Sequence, residues 1–183
     1  MKILVCAFPA YADHPSNPAE QILARLNRPN VETLLLPFSW KRSEETLRKA
    51  LAEKNPDGVL ILNVSPFRHS PTLEQFAYNE EYETSLPDAD EETRAGQEVV
   101  PGAAHSLRVR FDVSHIVEIL LQEGVYSSIS MDGGRFMDNA AYFLALNEGK
   151  DALLVHIPLE NDFPLRESYD MVDALLRVVE EEL

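Results

Sequence analysis

Short apolar runs alternate with amphipathic stretches along most of this chain. Lys2 to Ala7 is continuously apolar and is followed by Pro9, Pro15 and Pro18, which predicts a buried strand running into a long loop. Apolarity on both sides of that strand suggests a central place in a parallel sheet. Asn17-Pro18-Ala19-Glu20 predicts a helix to about Leu26, with Asn17 as N-cap and Pro18 at the first helical position. Val31 to Leu36 reads as a second strand closed by Pro37. Ser43 is the expected cap of the next helix, with Glu44 and Glu45 in its first turn, Leu47, Ala50 and Leu51 on its buried face, and Asn55-Pro56-Asp57-Gly58 as its stop. Val59 to Val64 is a third buried strand.

The pattern then breaks from Phe67 to about Gly102. A mixed segment around Thr72 to Tyr78 is followed by an acidic stretch holding Glu80, Glu81, Glu83, Asp88, Asp90, Glu91, Glu92 and Glu98. A run of charge without period is expected to be a solvated excursion or hairpin over one sheet edge rather than a cation site. Order returns at Asp112 to Gln122, where Val113, Ile116, Val117, Leu120 and Leu121 follow helical spacing and Gly124 supplies the stop. Val125 to Ser130 is an expected strand. Phe136 to Leu146 is an expected helix, buried through Phe136, Ala140, Phe143 and Leu144. Ala152 to Ile157 is an expected strand ending at His156-Ile157-Pro158, and about Ser168 to Glu181 an expected helix buried through Met171, Val172, Leu175, Leu176 and Val179. Strands alternating with helices predict an α/β, three-layer sandwich: one domain over residues 1–183, a mostly parallel central sheet and helices on both faces.

Composition agrees with one domain and narrows the partners. The 183 residues are 45% hydrophobic, enough for one sizeable core. A formal net charge of −15 argues against nucleic acid and anionic lipid surfaces as partners. No run approaches the roughly 18 apolar residues of a membrane span. The opening lacks the pattern of a signal peptide, and the single Cys6 has no internal partner for a disulfide; both fit a cytoplasmic setting.

In an open α/β sheet, ligands bind beyond the carboxyl ends of the strands. Four places answer to that rule: the loop from Phe8 to Asn17, the segment from Asn63 to Glu74, the Gly133-Gly134 junction, and His156. Gly133-Gly134 reads as a strand-turn-helix junction with Asp138 in the first helical turn, where free N–H groups and the macrodipole favour an anion. Each candidate has a plain structural reading beside the chemical one. His156 alone can be a satisfied histidine, Asp138 a helix-end carboxylate, and Cys6 a small core residue. Phe8 and Tyr11 can be lids of the core or walls of an apolar pocket.

Several segments in order resemble the pyroglutamyl peptidases (pyrrolidone-carboxylate peptidases), cysteine peptidases that remove an N-terminal pyroglutamate. Cys6-Ala7-Phe8-Pro9-Ala10-Tyr11 and Asn17-Pro18-Ala19 are similar to that family's G-F-x-P-F and N-P-S. Phe67-Arg68-His69-Ser70-Pro71-Thr72-Leu73-Glu74 through Asn79 resembles G-R-S-x-x-T-L-E-R-x-A-x-N. Pro87-Asp88-Ala89 and Val99-Val100-Pro101-Gly102 echo P-D-N-x-G and I-V-P-x-G-P. Ser128 through Asn139 is similar to S-x-x-A-G-x-F-x-C-N, and His156-Ile157-Pro158 to H-x-P. The resemblance implies a catalytic Glu at Glu74 and His at His156, with the nucleophilic Cys falling on Asp138. It further implies ring-binding walls at Phe8 and Tyr11, a substrate-side place for Asn17 and Arg135, a peptide N-terminus or small molecule as ligand, and assembly into dimers or tetramers.

A carboxylate is a poor replacement for a thiolate. The thiolate is a soft, strong nucleophile whose thioester water can hydrolyse, whereas a carboxylate attacking an amide would have to form an anhydride. An Asp138 beside His156 would also hold the imidazole as imidazolium, a poor base. Three readings stay open. The first is a peptidase-like protein that has lost its nucleophile and binds a small ligand or peptide end. The second is a hydrolase of altered chemistry, in which Asp138, Glu74 and His156 direct water or hold a divalent metal. The third is an interaction protein whose old site is filled by Arg135 paired with Glu74 or Asp138. No cofactor is expected; only the second reading adds a metal.

Overall fold

A computed structural model describes residues 1–12 and 14–183. Among these described residues ten strands and five helices follow one another as β1 (Ile3–Ala7), α1 (Pro18–Arg25), β2 (Val31–Leu35), α2 (Trp40–Lys54), β3 (Gly58–Val64), β4 (Thr72–Glu74), β5 (Phe76–Tyr78), β6 (Glu81–Glu83), β7 (Arg94–Gln97), β8 (Ser106–Arg108), α3 (Val113–Gln122), β9 (Ser128–Ser130), α4 (Met137–Asn147), β10 (Asp151–Ile157) and α5 (Leu165–Glu182). The main sheet has the order β2-β1-β3-β10-β4-β9. Strands β2, β1, β3 and β10 are mutually parallel; β4 runs antiparallel to β10, and β9 parallel to β4. One layer of helices is α1, α3 and α5, the other α2 and α4. This is the α/β three-layer arrangement that the alternation predicts.

The central strands are buried along their whole length because both faces are covered by helices. Their side chains join those of α4 and α5 in one core. Asn17 caps α1 as expected, its Oδ1 accepting from the Ala19 amide at 2.9 Å with Pro18 following. Asp112 caps α3 by accepting from the His115 amide, and Gly124 takes the left-handed φ of 77° that ends it.

Four elements depart from the sequence expectations. The N-cap of α2 lies four residues before the expected Ser43: Ser39 takes that place, accepting from the Arg42 amide, and Glu44 and Glu45 lie beyond the first turn. Strand β9 is only the last part of the stretch Val125 to Ser130. Phe136 is the N-cap of α4 rather than part of it, and α4 is buried on nearly all sides, so no single helical stripe marks its packing face. Helix α5 starts at Leu165, directly after Pro164.

The acidic stretch also differs from a purely solvated excursion. Strands β6 and β7 form a hairpin whose tip is fastened to the start of α2. The buried Asp88 carboxylate accepts from the amides of Trp40, Asp90 and Glu92 at 2.9, 2.8 and 2.8 Å. Asp90 in turn accepts from the Ser39 hydroxyl and, through both oxygens, from Arg42. Asp88→Ala is therefore expected to lower the unfolding free energy by about 2 kcal/mol, since three amide donors lose their acceptor. Urea unfolding checks this, and an unchanged midpoint would mean that the hairpin tip needs no anchor.

Candidate active site

The carboxyl ends of β3 and β10 lie side by side, with His156 in register with Asn63. Strand β4 enters on the other flank of β10 in the opposite direction, bringing Thr72 level with His156 and Glu74 level with Leu154. The amino end of α4 points at the same spot and supplies Asp138 in its first turn. Three segments distant in sequence thus deliver Glu74, Asp138 and His156 to one place.

The imidazole of His156 is held between the two carboxylates. Its Nδ1 lies 2.8 Å from Glu74 Oε1 and its Nε2 2.9 Å from Asp138 Oδ2. Ionised carboxylates only accept, so both hydrogen bonds are made together only when both ring nitrogens carry a proton. Burial opposes that charge, but the hydrogen bonds to Asp138 and Glu74 outweigh it and push the imidazole up to about 9. Burial likewise works against ionisation of Glu74 and Asp138, which are 0% and 2% exposed, yet their bonds to His156 bring both below the ordinary carboxylate range. The site is a buried anion–cation–anion line at neutral pH.

Each carboxylate has further support. Asp138 accepts from Asn63 Nδ2 at 2.9 Å and from the Asn139 amide at 2.8 Å, so its two oxygens take three protein donors. Asn17, itself buried, donates to Asn63 Oδ1 and thereby orients the amide that faces Asp138. Glu74 Oε1 accepts from Thr72 Oγ1 at 3.0 Å and from Arg68 at 3.2 Å. Arg68 also donates to the Ser130 hydroxyl and the Asp132 carbonyl, which ties the loop after β3 to the turn before α4. Gly133 packs on Glu74: a Cβ at that position would stand 3.1 to 3.3 Å from the Glu74 side chain, tighter than ordinary contacts.

A cavity of about 380 Å³ opens beside the line, with Asp138 and His156 in its wall. Tyr11 forms another wall and stacks on Phe38 at 4.8 Å, with Phe136 tilted against both. The hairpin contributes Tyr82, Glu83 and Leu86, and the loop after β3 contributes Phe67.

Not every expected site residue reaches this cavity. Phe8 is buried in the core just after β1 and is not among the residues lining the cavity, whereas Tyr11 is. Asn17 acts through Asn63 rather than on the cavity. Arg135 lies at the cavity wall but turns away from Glu74 and Asp138. Its guanidinium sits 3.7 Å over the Tyr78 ring, donates to Asp132 Oδ1 at 2.6 Å and lies 3.4 Å from Glu80. Arg135 thus does not fill the site as the third reading would have it, and the arginine that meets Glu74 is Arg68. Arg68 and Asn63 are supports to which the sequence reading gave no role, and Gly133 was marked only as part of a turn. The signal available for Arg68 was its place in the same motif as Glu74.

The opposed ring nitrogens bear on the metal reading. Glu74 and Asp138 lie on opposite edges of the imidazole, so the three side chains do not converge on one point. Among the described residues, no cluster of three or more His, Cys, Asp or Glu is arranged to hold a metal.

The chain is 24% identical over 175 residues to pyrrolidone-carboxylate peptidase 1 of Saccharolobus solfataricus, covering 91% of this chain and 82% of that protein. It is 25% identical over 169 residues to the pyrrolidone-carboxylate peptidase of Pyrococcus furiosus, covering 86% and 81%. Among solved structures, the pyrrolidone carboxyl peptidase of Fervidobacterium islandicum superposes with a TM-score of 0.91 at 21% identity over 99% of both chains. That of Thermococcus litoralis gives 0.90 at 23% identity over 100% of this chain and 96% of the other. Residues 1–158 match the profile of the pyroglutamyl peptidases, so the chain, whose sheet brings Glu74 and His156 together, belongs to the pyroglutamyl peptidase family.

Proposed function

We propose that this family member has exchanged the family's thiol nucleophile for Asp138 and uses the cavity to bind a small ligand or the blocked N-terminus of a peptide without hydrolysing it as a cysteine peptidase. The observation that carries this reading is the state of Asp138 and His156. The carboxylate is buried and taken by three donors, and each ring nitrogen of the imidazole faces a carboxylate oxygen, an arrangement that favours a proton on both. A base that holds its proton to about pH 9 cannot take one from water or a nucleophile at neutral pH. Attack by Asp138 itself would form a C–O bond to the carbonyl and expel the amine with a proton from His156. The resulting anhydride recaptures the amine more readily than it meets water, so the step returns to the starting amide.

Asp138 does reproduce the charge of a thiolate. An anion at this place keeps the imidazolium paired, and the neighbouring cavity stays open because Arg135 is engaged with Asp132, Glu80 and Tyr78. The metal reading has no comparable support, since the carboxylates flank the ring from opposite sides.

Two measurements on the wild-type protein test the reading. A chromogenic pyroglutamyl amide should be hydrolysed no faster than in buffer, and pyroglutamyl-glycine amide in excess should raise the thermal midpoint by binding the folded state alone. Rapid turnover would overturn the lost-nucleophile part. A midpoint that stays still at millimolar ligand would overturn the pocket.

A further inference from the structure

The mouth of the cavity carries a feature that folding does not explain. Phe67 is 88% exposed and Tyr82 is 54% exposed, and both line the same opening, together with Leu86. Single exposed apolar residues are ordinary. Here two exposed aromatic residues from two separate segments, the loop after β3 and the β6–β7 hairpin, edge one opening, with the half-buried Leu86 beside them. Neither segment is loosely placed. The turn at Phe67 is closed by the Arg68 amide donating to the Ser65 carbonyl, and the Arg68 side chain is pinned to Glu74, Ser130 and Asp132. Tyr82 is held by its backbone N–H, which donates to the Arg135 carbonyl.

The cavity therefore has two chemical zones. Asp138 and His156 make the inner end polar, and Phe67, Tyr82 and Leu86 make the mouth apolar. Glu83 also stands at the mouth. Burial works against its ionisation, but its bonds from the Ser85 hydroxyl and the Ser85 and Leu86 amides draw the carboxyl below its ordinary range. An anion at the mouth repels acidic groups, as does a chain of net charge −15. The same net charge argues against a second copy of this chain as the occupant.

We propose that the mouth is a subsite for the second residue of a peptide whose blocked N-terminal residue occupies the inner end, and that it selects bulky apolar side chains and rejects acidic ones. This rests on the pocket reading given above. Phe67 and Tyr82 would close on the two faces of the second side chain, removing apolar surface of ligand and protein from water together.

The test is the affinity of the wild-type protein for pyroglutamyl-phenylalanine amide, pyroglutamyl-glycine amide and pyroglutamyl-aspartate amide, by calorimetry. The phenylalanine peptide should bind about tenfold more tightly than the glycine peptide, with the aspartate peptide weakest. In Phe67→Ser and Tyr82→Ser the ratio between the first two should fall towards one; the exposure of both side chains lets the fold persist, which circular dichroism checks. Equal affinities for the first two, or a preference unmoved by both variants, would overturn the subsite while leaving the pocket intact. No binding of any of the three would overturn the pocket and the subsite with it. Concentration-dependent association of the wild type that Phe67→Ser abolishes would assign the mouth to a second copy instead.

Discussion

Asp138→Cys is expected to hydrolyse a chromogenic pyroglutamyl amide at least about a hundredfold faster than the wild-type protein, the lower end of what a correctly placed proton-transfer partner contributes. The variant would inherit most of what a cysteine nucleophile needs. Its sulfur would stand in the first turn of α4, where the macrodipole favours the thiolate. Asn63 Nδ2 and His156 Nε2, which now donate to Asp138, would donate to the thiolate. In the reaction the thiolate forms the C–S bond, and the imidazolium gives its Nε2 proton to the departing amine. Glu74 keeps the Nδ1 proton in place throughout. Asp138→Ser should stay at background, because its hydroxyl is neutral and leaves the imidazole without its second anion. Folded Asp138→Cys protein with no rate gain would mean that the surrounding site has lost competence beyond the nucleophile.

His156→Leu is expected to lower the unfolding free energy by about 3–5 kcal/mol at pH 7, because Glu74 and Asp138 would remain buried without the cation between them. The deficit should shrink towards pH 5 as the stranded carboxyls take up protons. Above neutrality the comparison reverses direction. The folded value of about 9 lies above the ordinary 6.5 of histidine, so the wild-type imidazolium contributes its full stabilisation below pH 6.5 and loses it as pH rises through 9. That contribution is about 3 kcal/mol. Wild-type stability should therefore fall by about this amount more than that of His156→Leu between pH 6.5 and 9.5. Urea unfolding across that range measures it, and parallel profiles would show that His156 is not an imidazolium in the native state. At the acid end the signs are opposite. The depressed carboxyls of Glu74 and Asp138 stabilise the fold above their unfolded range and lose that effect as pH drops through their native values.

The parallel half of the fold was legible because β1, β3 and β10 are covered on both faces and are apolar apart from Asn63, Asp151 and His156 near their ends, a pattern few other elements produce. Strand β4 was not legible. It has only three residues, one of which is the charged Glu74, and its place between β10 and β9 depends on partners far along the chain. Ser39 and Ser43 both suit an N-cap, and the choice is made partly by Asp88, which binds the Trp40 amide from 48 residues away. At the site, Asp138 and His156 were marked by their positions at a helix start and a strand end. Glu74 drew notice only through the resemblance, and the direction of Arg135 stayed open because adjacency in sequence says nothing of the Tyr78 ring on which its guanidinium rests. The hairpin's part in the cavity was hidden by its charge: Tyr82 and Leu86 are isolated apolar residues in an acidic stretch and acquire a common side only in three dimensions.

The aromatic wall also makes the protein its own optical probe. Trp40 is the sole tryptophan, is almost fully buried, and meets Phe136 edge-on at 5.7 Å with the Arg94 guanidinium 5.5 Å from its ring centre. Phe136 is at once the neighbour of that indole and part of the cavity lining. A molecule settling against Phe136 perturbs the surroundings of a single fluorophore, so an emission titration of the unmodified protein reads occupancy with no label and no background from a second tryptophan.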